Sequence, residues 1–219
     1  MSSIREITSS NSMPVDLAAK LGKNGIIEII SIMWQGYYDL RADAVIEDTM
    51  RENKITQEWF IRVNSRWNTE NRASRVSLKL QPITQYEDDT LAKEVGQPPT
   101  IDFCFRAWDE KEGYFGAECK NLYGTETTHI RRYIETGVGN YVNGRYGSCS
   151  SVSCVIGYVL AGSIADVVSK INEEGVISEY PTFLTKLLGI KEAEYRSKHL
   201  RLLDGMQITL HHLFFDFAA

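Results

Sequence analysis

The chain is short of several things at once, and each shortage narrows what it can be. Only 5 of its 219 residues are proline, 4 are cysteine and 4 are histidine. Cys104, Cys119, Cys149 and Cys154 make no disulfide framework in a chain this long. They read as reduced, buried thiols of an intracellular, cytoplasmic protein. Cys149 and Cys154 find no further ligands at zinc-site spacing. The few histidines, His129, His199, His211 and His212, are too sparse for phosphodiester chemistry built on histidine. No run of 18 apolar residues exists, and the richest stretch, Ile26 to Trp34, is interrupted by Glu28, so no membrane span is expected. The first residues lack a basic segment followed by an apolar one, which speaks against a secretory signal. An excess of positive charge is missing too. Lys and Arg number 24 against 29 Asp and Glu, a net charge of −5, which argues against coating nucleic acid but leaves room for a local basic groove. No helix-turn-helix or zinc finger is present to read a base sequence.

What is there is ordinary globular material, 43% hydrophobic and 24% charged. Residues 1–13 are polar and Ser-rich and read as a loose tail. Pro14 opens a helix behind Ser12 or Met13, running to about Leu21, with Gly22 and Gly25 as breakers. Ile26 to Ala44 carries Ile29, Ile30, Met33, Trp34, Tyr37 and Tyr38 at helical spacing and reads as a buried or partner-facing helix. A further helix is expected within Ile46 to Trp67, with Thr56 as its N-cap. Val76 to Leu80 alternates like a strand ended by Pro82, and 84–99 reads as a loop. Thr125 to Gly137 reads as a helix capped by Thr127 or Thr128, and Gly137 to Tyr146 as a flexible passage. Val152 to Leu160 reads as a buried central strand, and Ser163 as the cap of a helix to about Asn172. A helix is expected near Pro181 to Leu188. Tyr195 to Leu202 and Met206 to Phe217 form a hairpin about Asp204-Gly205.

The most informative residues are Asp102, Glu118 and Lys120. Thr100 to Phe105 reads as one strand and Gly113 to Lys120 as the next, joined by the polar Trp108 to Glu112 turn. Side chains alternate faces along a strand, so Glu118 and Lys120 project together while Cys119 faces the other way. A hairpin can bring Asp102 beside them. The bland reading of such a triplet is a surface ion pair, worth ~0–1 kcal/mol. The chemical reading is a site for Mg²⁺, held by hard carboxylate oxygens, with an ammonium beside it to orient or deprotonate water or to hold a phosphate.

Asp102, with Pro98-Pro99 just ahead of it, and Glu118-Cys119-Lys120 resemble the motif of the PD-(D/E)XK, restriction-endonuclease-like nuclease superfamily. The element order over residues 46–172 is similar to its core of a helix, three strands, a helix and a further strand. The resemblance implies an α/β fold, a mixed central sheet flanked by helices. An N-terminal tail and helical extension (1–45) would precede the nuclease-like unit (46–219), which ends in a β-hairpin. It also implies Mg²⁺ or Mn²⁺ at Asp102 and Glu118, with a third acidic ligand on the first core helix, Glu52 ahead of Glu47 and Glu58. Lys120 would activate water for attack on a phosphodiester, with DNA the expected substrate. Arg131 or Arg132 would meet phosphate from the helix after the Lys strand. The basic stretch Arg62, Arg66, Arg72, Arg75 and Lys79, interleaved with Trp67, reads either as a helix and solvated loop or as a phosphate-contacting surface, with Arg66, Arg72 and Arg75 as contacts. A homodimer through the Ile26–Tyr38 segment, or a partner protein, is compatible with this. Three other classes stay open: a catalytically silent nuclease-fold scaffold, a regulated effector in a defence or repair assembly, and a plain α/β binding protein.

Overall fold

The computed structural model describes residues 16–70, 80–88, 98–107, 113–147, 149–187 and 193–218. Pro14 and its expected cap, Arg72, Arg75, Lys79 and the Trp108–Glu112 turn lie outside the described residues. One mixed sheet is built from β1 (Leu80–Glu87), β2 (Thr100–Ala107), β3 (Tyr114–Tyr123), β4 (Val152–Ala161), β5 (Thr185–Lys186), β6 (Glu194–Leu200) and β7 (Gln207–Asp216). Its order is β1-β2-β3-β4-β7-β6-β5. The β3–β4–β7 centre is parallel and the flanking pairs are antiparallel. β4, with parallel neighbours on both sides, is the continuous apolar run expected of a strand covered on both faces.

Two helices cover one face. In α1 (Leu17–Ala42) the Asp16 carboxylate accepts the Ala18 N–H at 3.0 Å and starts the helix. Gly22 kinks it in the left-handed region (φ 64°), whereas Gly25 stays helical, so only the first of the two expected breakers interrupts the chain. α2 (Glu52–Glu70) crosses α1 at Gly36, where an added Cβ would come within 2.5 Å of Val63 Cγ2. Trp59 packs on Phe103, Trp67 on Phe105, and Tyr37 stacks on Phe215, with ring centroids 4.6–4.8 Å apart. The other face is covered by α3 (Thr127–Arg132), a π-helical segment (Tyr133–Val138), α4 (Gly139–Val142) and α5 (Ile164–Ile177). Ser163 caps α5 by accepting the Asp166 N–H at 3.1 Å.

Several expectations need correcting. α2 begins at Glu52, and Thr56 lies buried inside it, donating its hydroxyl to the Glu52 carbonyl at 2.9 Å. Of the strand expected over Val76 to Leu80, residues 76–79 lie outside the described residues; β1 starts at Leu80 and runs through Pro82 and residues 84–87, since it is the sheet edge, where a missing N–H costs no ladder bond. The passage from Gly137 is helical as far as Val142, since Gly137 and Gly139 serve close packing. A Cβ at Gly139 would meet Tyr180 at 2.6 Å. Among the described residues of 181–188 there is no helix, only the short β5. The hairpin about Gly205 (φ 68°) is as expected. Among the described residues, no helix is long and apolar enough to cross a membrane.

Candidate functional site

The site grows out of a place where β3 loses its neighbour. The β2–β3 ladder runs from Arg106↔Tyr114 to Phe103↔Ala117 and stops. At the next step the Asp102 carboxylate takes the Cys119 N–H (Oδ2, 2.9 Å). Further along, Glu52 from the first turn of α2 takes the Asn121 N–H (Oε2, 3.1 Å). Two acidic side chains therefore satisfy β3 amides that would otherwise be orphaned, and this anchors both of them. β1 opens at the same level: Gln85 stands in the left-handed region (φ 51°), rare for a residue with a side chain, and reaches Asp102 Oδ1 at 3.4 Å.

The strand alternation holds as expected. Cys119 turns into the core, where the Tyr158 hydroxyl donates to its sulfur at 3.3 Å. Glu118 and Lys120 share the opposite face and pair directly, Nζ to Oε1 at 2.8 Å. The same ammonium donates to the Cys119 carbonyl at 2.7 Å, reaches Glu52 Oε1 at 3.4 Å and lies 3.9 Å from Asp102 Oδ2. The π-helical segment lies alongside the lysine stem: a Cβ on Gly137 would stand in ordinary contact with Lys120 Cγ, at 3.7 Å. Such π segments are frequent beside functional sites.

Three carboxylates around one ammonium leave the cluster short of positive charge. Burial, and then the neighbouring charge of Asp102, push the Glu118 carboxyl up to about 8. Asp102 is raised as well, burial outweighing the pull of Lys120. For Lys120 burial works against the charge, but Glu118, Glu52 and Asp102 outweigh it and hold the group above its usual value, so it stays an ammonium. Glu118 Oε2 is buried and has no hydrogen-bond partner. An unpaired buried carboxylate oxygen is costly, and a divalent cation is one group that would relieve it. No group of three or more His, Cys, Asp and Glu side chains among the described residues forms a ready-made cation cage. Mg²⁺ asks for less, one or two carboxylates with the rest water, and Asp102 with Glu118 offers that.

The remaining expected residues divide. Arg132 Nη2 lies 3.5 Å from Glu52 Oε1 and faces the site. Arg131 turns to α5, where its Nε meets Glu174 Oε2 at 2.9 Å. Arg66, fourteen residues beyond Glu52 and roughly 21 Å along α2, is held in a two-pronged pair by Asp39 of α1 at 2.6 and 2.7 Å. Arg62 is tied to Asp43 and Glu58. Glu58 is thereby occupied, and Glu47 precedes the helix. Arg72 and Arg75 lie outside the described residues. A cleft of about 470 Å³, lined among others by Arg51, Glu52, Asn121, His129 and Arg132, opens on one side of the α2 start. A second, of about 330 Å³, lies on the other side, between α2 and Gln85. Asn121, Arg51 and Gln85 escaped the sequence reading. Asn121 was one residue past the recognised triplet, and Gln85 lay in a segment read as loop.

No family model, no curated protein and no solved structure matches this chain.

Proposed function

We propose that the chain is a Mg²⁺- or Mn²⁺-dependent nuclease of the PD-(D/E)XK type, hydrolysing phosphodiester bonds of nucleic acid, with DNA as the substrate class. The observation that carries this reading is the convergence of Glu52, Asp102, Glu118 and Lys120 on one point, with a buried carboxylate oxygen left unpaired. The order α2–β1–β2–β3–α3–β4 supports it, being that of the superfamily's core.

In this reading Asp102 and Glu118 hold the cation through oxygens fixed by β2 and β3. The bound cation supplies acidified water and stabilises charge on the phosphate. Lys120, kept protonated by the carboxylates around it, acts as a compact positive charge that orients water or a phosphate oxygen, not as the base. Glu52 anchors Lys120 through Oε1 and β3 through Oε2. Arg132, Arg51 and His129 line the adjoining cleft, where a phosphate backbone would lie. Mutually repelling carboxylates are a poor choice for a merely structural cluster, which weighs against the silent-scaffold alternative.

The test is incubation of the purified chain with supercoiled, linear and single-stranded DNA and with RNA, in Mg²⁺, Mn²⁺ or chelator. Metal-dependent cleavage is expected, abolished by Asp102→Asn. Metal binding at the two carboxylates without cleavage of any polynucleotide would favour the silent scaffold, and the absence of both would sink the reading.

A further inference from the structure

A third cleft, of about 660 Å³, lies between α1, the start of α5 and the β5–β6–β7 side of the sheet. Trp34, Tyr37, Tyr38 and Arg41 of α1 line it, at spacings of three, four and seven residues that put them on one helical stripe. Tyr38 lies over Trp34, with centroids 5.9 Å apart and planes 29° off parallel, and is 45% exposed, so an aromatic surface faces solvent. Lys186 of β5 lines the opposite wall.

Two features mark this cleft as more than a fold in the surface. Arg41 donates to the Tyr37 hydroxyl at 3.2 Å but meets no carboxylate within ion-pair distance among the described residues, and neither does Lys186. Asp216, also in the lining, has Oδ1 occupied by the Ala218 N–H at 3.1 Å, leaving Oδ2 to accept from a ligand. The volume falls within the range of small-molecule sites, roughly 300–1,000 Å³.

We propose that this cleft binds a nucleotide unit. The base stacks on the exposed ring of Tyr38, itself backed by Trp34. The phosphate sits between Arg41 and Lys186, and Asp216 takes a hydroxyl or amine proton. Stacking on aromatic rings suits any base, and an arginine suits phosphate geometry. The unit is either a free nucleotide or one residue of a bound strand.

The test is calorimetric titration of the full chain, in chelator, with each of the four common ribonucleoside monophosphates, with their nucleosides and with inorganic phosphate. At least one nucleotide should bind saturably and at least tenfold tighter than its nucleoside or phosphate alone. Lys186→Glu and Tyr38→Leu, both at exposed positions, should each weaken it by about tenfold, with unchanged circular dichroism. A short single-stranded oligonucleotide that loses affinity in the same two variants assigns the cleft to a strand; one that does not assigns it to free nucleotides. Absence of nucleotide binding at millimolar concentration, or equal binding by both variants, overturns the proposal. Because no metal is present, this result is independent of whether the acidic site cleaves anything.

Discussion

Two buried polar clusters share one face of the sheet, and they end in opposite states. The register Glu118↔Val155↔His212 puts them in a single row, two strands apart. In the second cluster everything is matched. Tyr133 Oη meets His212 Nδ1 at 2.7 Å, His212 Nε2 meets Ser197 Oγ at 2.7 Å, and Ser197 Oγ meets His199 Nε2 at 2.6 Å. His199 also bonds the Pro181 backbone. One placement of protons satisfies the chain: Tyr133 donates to His212, His212 to Ser197, Ser197 to His199, and His199 to the Pro181 carbonyl. Both rings are neutral, with burial pressing His199 down to about 4 and His212 well below its usual range. The first cluster instead has an unpaired oxygen and mutually repelling acids. A satisfied network fixes a core, and a partly satisfied one is costly unless something completes it, which is the role proposed here for a cation. Serine beside two histidines looks like catalytic material, yet the geometry assigns it to structure.

The sharpest way to break this comparison is to remove the lysine. Lys120→Ala should lower metal-dependent cleavage by on the order of 10²–10³-fold, the usual cost of losing one charge-stabilising group, while Tyr133→Phe leaves cleavage near wild type. Equal losses in plasmid nicking would erase the distinction. Next in size is proton competition at Glu118. Because its carboxyl is pushed up to about 8, a cation must displace a proton below that pH. Mn²⁺ affinity should climb by up to about tenfold per pH unit between pH 6 and 8 and then flatten; a flat profile would remove Glu118 from the ligand set.

Acid acts on the stability of the two clusters with opposite signs. His199 refuses a proton that the unfolded chain accepts between pH 6.5 and about 4, so its contribution is lost as pH falls through that window. Glu118 accepts a proton in the folded chain first, so stability rises as pH falls from about 8 toward 4.5. Relative to wild type, His199→Gln should therefore cancel a loss of about 2 kcal/mol between pH 7 and pH 5, read from urea unfolding at both pH values. The smallest effects separate the two arginines. Arg132→Ala should weaken substrate binding several-fold, whereas Arg131→Ala, which loses a pair with Glu174 of α5, should leave cleavage intact and lower the melting temperature. The reverse order in a cleavage-and-melting comparison would reassign them.

Much of this was legible in the sequence, for reasons that differ by residue. Period-two alternation placed Glu118 and Lys120 together and Cys119 opposite without any tertiary information. The near-continuous apolar run 152–160 marked the central strand, and Asp204-Gly205 the hairpin. Glu52 was singled out among three glutamates only through the resemblance; the Asn121 amide it caps belongs to tertiary structure. Arg66 looked like a phosphate contact because clustered charge is visible in sequence, while its partner Asp39, on another helix, is not. The glycines at 137 and 139 suggested a loop because their close contacts with Val155 and Tyr180 come from elements far away in the chain.

The most direct measurement is a Mn²⁺ titration of metal-free protein at pH 8, followed by the loss of the free-ion paramagnetic signal, on wild type, Glu118→Gln and Ser197→Ala. The unsatisfied cluster predicts saturable binding by wild type and Ser197→Ala and its loss in Glu118→Gln. No binding by wild type, or binding indifferent to Glu118→Gln, would contradict the account.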